Sequence, residues 1–236
     1  LEESKIHTDF IEVDEDTRIN VKLKSGQETE INAPGPKVTQ DQFQALLTQI
    51  KNTTNKDTVI VAGSVPNSIP SDAYAQIAEI TKNTGAKLVV DAEKDLVETV
   101  LPYQPLFIKP NKDELEVMFN TTVSSDQDVV KYGKEILKKG AQSVIISLGG
   151  DGAVYVDEQQ SIKAVNPQGK VINTVGSGDS TVAGMVAGLE SGLSIQDAFK
   201  QAVASGTATA FEEDLATRDA IEKIKSQVTV SVLDGE

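Results

Sequence analysis

The sequence predicts one α/β domain, with a largely parallel sheet between helical layers and a small β-sheet near the start of the chain. Three observations carry that prediction. From residue 37 onward, short continuous apolar runs alternate with stretches of helical spacing, which is the pattern of parallel βαβ units covered on both faces. Before residue 37, apolar residues alternate one for one with charged ones, as in a sheet with one wet face. The chain has 236 residues, of which 39% are hydrophobic and 25% charged, enough for one domain with a sizeable core. Aromatics are only 4% and Trp is absent, so that core is built from Val, Ile, Leu and Ala.

Each element follows in turn. Residues 10–13, 19–24 and 28–31 read as short strands, the last two joined at Ser25-Gly26, and Ala33-Pro34-Gly35-Pro36 breaks the pattern. A helix over 40–50 precedes the apolar run 58–62, and a helix over 72–83 precedes the run 88–91. Helical spacing at 94–101 leads to the run 106–109; helices over 114–119 and 128–139 then lead to the run 143–147. A strand–turn–strand unit spans 153–165, helices are expected over 180–192, 195–211 and 218–226, and a last strand over 228–232. The division is a lid, mainly β, over residues 1–36, and an α/β core over 37–236.

Composition excludes several functions. A formal net charge of −14, spread along the chain, argues against nucleic acid and anionic membrane surfaces as partners, because both need clustered cations. There is no cysteine, so disulfides and thiolate zinc sites are out and a reducing, cytoplasmic home is expected. No apolar run approaches the ~18 residues that span a bilayer. His7 is the only histidine and lies in a polar segment, which leaves no basis for a Ser-His-Asp triad or a histidine-bound zinc.

The most informative stretch is Asn173-Thr174-Val175-Gly176-Ser177-Gly178-Asp179-Ser180. Two glycines before a helix let backbone amides converge on one point, which makes an anion site. Asp179 beside it is either a base for an attacking hydroxyl or an ordinary N-cap. The loop is neither a Walker A motif, which needs Gly-Lys-Ser/Thr, nor a dinucleotide fingerprint, which needs a third glycine. Asn111 and Glu114 follow Lys109-Pro110 at the end of a predicted strand. One helical turn apart, they are either oxygen donors for a hydrated Mg²⁺ or a capping box. Ser147-Leu148-Gly149-Gly150-Asp151-Gly152 is a glycine-rich hairpin or the wall of a nucleotide site. The loop Gly63-Ser64-Val65-Pro66 is a plain turn or a sugar contact, and Arg18 a solvated charge or a phosphate ligand.

Together and in this order these stretches resemble the PfkB/ribokinase family of carbohydrate kinases over essentially the whole chain. Residues 173–188 are similar to its C-terminal signature, and Asn111-Lys112-Asp113-Glu114 to its Asn-x-x-Glu motif. Thr17-Arg18-Ile19-Asn20-Val21, with Glu30-Ile31-Asn32-Ala33-Pro34-Gly35-Pro36, is similar to the 1-phosphofructokinase subgroup. The resemblance implies a ribokinase-like three-layer α/β/α fold with a β-sheet lid. It implies Asp179 as catalytic base, an anion hole from Gly176, Ser177 and Gly178, and Mg²⁺ organised through water by Asn111 and Glu114. Lys109, Ser147, Gly149, Gly152 and Asn173 would border ATP, and Arg18, Asn20 and Ser64 the sugar phosphate.

The implied reaction is transfer of the ATP γ-phosphoryl group to the C6 hydroxyl of fructose 1-phosphate. Tagatose-6-phosphate kinase and 6-phosphofructokinase activities are the rivals within the class, and a non-catalytic nucleotide-binding fragment is the rival outside it. ATP and Mg²⁺, with K⁺ as a further cation, are the implied cofactors, and a homodimer through the lid the implied assembly. Two departures stand out: Asn173 replaces the Asp usual at the first position of the signature, and the family's N-terminal glycine-rich sugar motif has no counterpart before Leu1. Several tens of residues are therefore expected to be missing, leaving an open sheet edge, a sugar pocket short of a wall and little activity.

Overall fold

The computed structural model describes residues 6–25 and 27–233. Nine strands and eight α-helices are described. They run β1 Asn20–Ser25, β2 Gln27–Asn32, α1 Gln40–Lys51, β3 Thr58–Ala62, α2 Ala73–Thr84, β4 Lys87–Asp91, α3 Lys94–Val100, β5 Phe107–Ile108, α4 Lys112–Phe119 and α5 Asp126–Lys139. There follow β6 Ser143–Ser147, β7 Ala153–Asp157, β8 Ser161–Val165, α6 Ser177–Glu190, α7 Ile195–Ala210, α8 Arg218–Lys225 and β9 Thr229–Val232. β1 and β2 form a separate antiparallel pair, and the other seven strands form one sheet in sequence order. β3 to β6 are parallel, and β6 to β9 are antiparallel. The sheet is thus mixed: helical crossovers carry the first half parallel, short connections let β6, β7 and β8 fold back on one another, and β9 returns antiparallel after three helices.

Alternation along the strands builds the three layers. Leu88, Val90, Val144, Ile146, Val154 and Val156 face the layer holding α2 to α5, while Val89, Ile145, Ala153 and Tyr155 face α6, α7 and α8. Continuous apolar runs are required because both faces of these strands are dry. A third cluster joins Phe43, Leu47 and Ile50 of α1 to Ala73 and Ile77 of α2. Among the described residues the outer edge of β3 pairs with no strand, and Ile60 on it is 46% exposed.

Two of the strand expectations are corrected. Residues 10–13 are not a strand but run along α1, where Gln42 Nε2 donates to Glu12 O and Gln49 Nε2 to Asp9 O, both at 2.8 Å. These two glutamines are seven residues apart on one helix face, and their amides replace a strand ladder. The expected turn at Ser25-Gly26 includes Gly26, which lies outside the described residues. The run 106–109 contributes a ladder of only two residues, because Pro105 and Pro110 flank it and cannot donate.

The helix expected from residue 180 begins instead at Ser177. Gly178 reads as loop in isolation, while the glycines inside the expected helix form a contact seam with α7. A methyl on Gly184 would meet Ser205 Oγ at 2.5 Å, one on Gly188 the Ala198 Cα at 2.8 Å, and one on Gly206 the Thr181 Oγ1 at 2.2 Å. Tertiary packing therefore overrides the low helix propensity of glycine here.

Candidate active site

Four parallel strands deliver the site, since ligands collect outside their carboxyl ends in open α/β sheets. β3 ends before Gly63 and Ser64, β4 ends on Asp91, β5 leads into Lys109 and Asn111, and β6 ends on Ser147 before Gly149. Asn111 and Ser147 make an isolated parallel bridge that extends the β5–β6 contact.

Two cavities flank this edge. One, of about 580 Å³, is lined by Arg18, the Pro34-Gly35-Pro36 segment, Lys37 and the loop Gly63-Ser64-Val65-Pro66-Asn67-Ser68. Arg18 Nη1 donates to Ser64 Oγ at 2.9 Å, so two residues expected to touch a sugar phosphate meet across 46 positions of sequence. Asn20 opens β1 opposite Asn32 and is not part of this lining. The other cavity, of about 730 Å³, is lined by Lys109, Asn111, Ser147, Gly149, Gly152, Ser177 and Gly178 among others. Val171, Val203, Ala210 and Phe211 give it an apolar wall that sequence reasoning does not single out, because Val171 lies far in sequence from the other three, which sit on and just after α7.

Glycine is required at the start of α6. Gly176 is its N-cap, at φ +79°, in the left-handed region that side chains avoid. Ser177 N–H donates to Thr174 O at 3.2 Å, and the first α-helical bond of the turn runs from Ser180 N to Gly176 O at 2.8 Å. The amides of Gly178 and Asp179 precede that bond and are the donors a helix start presents to an anion. One expected donor, Ser177, is thus spent locally, while its hydroxyl is buried with no hydrogen-bond partner. Asp179 lies in the first turn, exposed, and is not the N-cap, so capping does not account for it. Asn173 ties the loop down: its Nδ2 donates to Glu213 O at 3.1 Å and its Oδ1 accepts from Val175 N at 3.2 Å.

Asn111 and Glu114 do form a capping box. Asn111 Oδ1 accepts from Glu114 N and Glu114 Oε2 accepts from Asn111 N, each at 2.8 Å. The cap engages one oxygen of each side chain and leaves Glu114 Oε1 outside it. That suits an outer-shell hold on a hydrated Mg²⁺ better than direct ligation. Among the described residues, no group of three or more His, Cys, Asp or Glu side chains is placed to hold a metal ion.

The electrostatic centre is one that sequence reasoning does not weigh. Lys109 is buried and its Nζ lies 3.2 Å from Asp91 Oδ1, with the side chains 8% and 18% exposed. Burial raises the Asp91 pKa, the Lys109 charge and hydrogen bond work against that rise, and the nearby charge of Asp179 adds to it. Burial and then Asp91 push the Tyr74 phenol up to about 12, and its hydroxyl donates to Gly63 O at 2.8 Å. A carboxylate closing the apolar run Leu88-Val89-Val90 is the sequence signal for Asp91, since buried strands seldom end on an unpaired charge.

The pfkB family carbohydrate kinase profile matches residues 1–221. The chain belongs to that family. It is 42% identical over 233 residues to the 1-phosphofructokinase of Bacillus subtilis strain 168, covering 99% of this chain and 77% of that one. It is 35% identical over 230 residues to the D-tagatose-1-phosphate kinase of Bacillus licheniformis, covering 97% and 76%. Among solved structures, one from Staphylococcus aureus, named provisionally as a phosphofructokinase, superposes with a TM-score of 0.90 at 80% identity over 100% of this chain and 77% of that one. This pfkB kinase therefore shares fold and sequence with sugar-phosphate kinases over nearly its whole length.

Proposed function

We propose that this chain transfers the γ-phosphoryl group of ATP to the C6 hydroxyl of fructose 1-phosphate, giving fructose 1,6-bisphosphate and ADP. The observation that carries the reading is the start of α6: open amides at Gly178 and Asp179 with an exposed carboxylate beside them. That is the equipment in-line phosphoryl transfer requires. Asp179 takes the proton of the C6 hydroxyl as its oxygen attacks the γ-phosphorus, the bond to the β-phosphate oxygen breaks, and ADP leaves. The Gly178 and Asp179 amides meet the transferring group, and Lys109 approaches the phosphates. Mg²⁺, held through water by Asn111 and Glu114, would offset phosphate charge when bound. Arg18 and Ser64 would take the acceptor's own phosphate, and two relatives named for ketohexose 1-phosphates favour a 1-phosphorylated acceptor.

Residues 1–36 act as a lid on the core formed by 37–236, and a second copy meets the lid. The support for this pairing is its bare apolar face: Val21, Leu23 and Ile31 are 41%, 50% and 56% exposed, with Val21 directly opposite Ile31. The mass of the purified protein in solution checks the pairing, and a strict monomer refutes it. A cytoplasmic site of action goes with the same reading, since ATP and sugar phosphates are found there.

The test is a coupled ADP-release assay over fructose 1-phosphate, fructose 6-phosphate, tagatose 1-phosphate and tagatose 6-phosphate. The highest kcat/KM is expected with fructose 1-phosphate. A higher value with another acceptor replaces the substrate, and thermal stabilisation by ATP without sugar-dependent turnover replaces catalysis by nucleotide binding alone.

A further inference from the structure

We infer that Asp91 is a positioning residue for phosphoryl transfer, acting through Lys109; the inference rests on the kinase reading above. Val90 and Ile108 pair in parallel register, which places Asp91 and Lys109 side by side at the carboxyl ends of β4 and β5. Both side chains are largely withdrawn from water, and among the described residues their 3.2 Å contact is the one ion pair that either makes. A buried ammonium on a four-carbon stem has no fixed direction of its own, and a partner that is itself fixed supplies one. Asp91 is such a partner. It ends a ladder strand, and its backbone carbonyl accepts from Gly63 N at 2.9 Å.

The pair points at the reaction centre. A methyl built on Gly178 would lie 3.3 Å from Lys109 Nζ and 3.9 Å from Asp91 Oδ2, so both charges sit against the turn whose amides are open. Glycine at 178 is what lets the ammonium come that close. Asp91 thus aims Lys109 at the position of the transferring group without itself touching the nucleotide. Its cost is a carboxylate kept in a poorly hydrated place, which a purely structural contact would not need.

The test is a double-mutant cycle with Asp91→Asn and Lys109→Met, read by steady-state kinetics. Asp91→Asn is expected to lower kcat about 100-fold, the scale of a misaimed catalytic group, with KM for ATP within about threefold. Asp91→Glu is expected to recover about tenfold of that loss, because the charge is kept and only the reach changes. In the Lys109→Met background Asp91→Asn should cost no more than about twofold further, since its effect passes through the missing ammonium. Multiplying losses overturn the inference, as does a rise in KM for ATP with kcat unchanged.

A second measurement needs no turnover. In ¹⁵N-lysine protein only ammonium groups shielded from exchange give signals, and Lys109, identified by its loss in Lys109→Met, should give one that disappears in Asp91→Asn. A Lys109 signal that survives in Asp91→Asn, or one absent from the unmodified protein, overturns the inference. A protected signal in a protein with no sugar-dependent ADP release instead overturns the kinase reading on which the catalytic meaning of the pair depends.

Discussion

Asp179 is held in place by glycine chemistry one and three residues upstream. Because Gly176 turns the chain at positive φ, α6 begins at Ser177 and carries Asp179 in its first turn beside the open amides. Asp179→Asn keeps the shape and removes the base, so kcat should fall about 100- to 10,000-fold while the ATP dissociation constant stays within about threefold. Turnover near the unmodified value would remove the base assignment. From residue types alone Asp179 is ambiguous, because a cap and a base look the same before a helix. The helix start at Ser177 removes the N-cap reading, and the base remains the proposal that kinetics tests. Asn111 and Glu114 show the opposite outcome: the cap is formed, and any metal must share it. Asp91 was harder still to weigh, since its meaning depends on Lys109 lying next to it across two strands.

The seam between α6 and α7 sets the position of the turn that opens α6. Gly206 is the tightest point, with Ser177 O only 2.8 Å from where its methyl would be and Thr181 Oγ1 nearer still. Gly206→Ala should push the helices apart and destabilise the fold by about 1–3 kcal/mol, the usual cost of overpacking. For a chain of this size that is a fall in Tm of roughly 2–10 °C, measurable by calorimetry. An unchanged Tm would mean that the seam is looser than described. At this scale the sequence is most informative where period and length agree: the runs 58–62 and 143–147 match β3 and β6 end to end. It is least informative where a neighbour decides, as for the glycines of α6 and for residues 10–13, whose apolar alternation is offset by side-chain tethers from α1.

For the whole molecule, the sheet edge that carries the site also sets a response to alkali. Tyr74 has a folded-state pKa of about 12 against an ordinary value of 10.0, so the folded chain holds its proton where the unfolded chain has lost it. The stability this contributes is complete below pH 10 and is lost as pH rises toward 12. Tm should fall across that window, and Tyr74→Phe should flatten part of the slope; an equal slope in both proteins would assign the loss to other groups. The α/β class and the small two-stranded sheet near the start are legible without coordinates because each rests on local periodicity. The pairing of β9 with β8 and the apolar wall beside Lys109 are not, because they rest on contacts between distant segments.

Every residue lining the cavity beside Arg18 falls between positions 15 and 68, and every residue lining the cavity beside Lys109 falls between 109 and 211. Under the proposed function, acceptor choice and donor handling would therefore be encoded in separate stretches of the chain. A single crossover between them would then exchange one without rewriting the other.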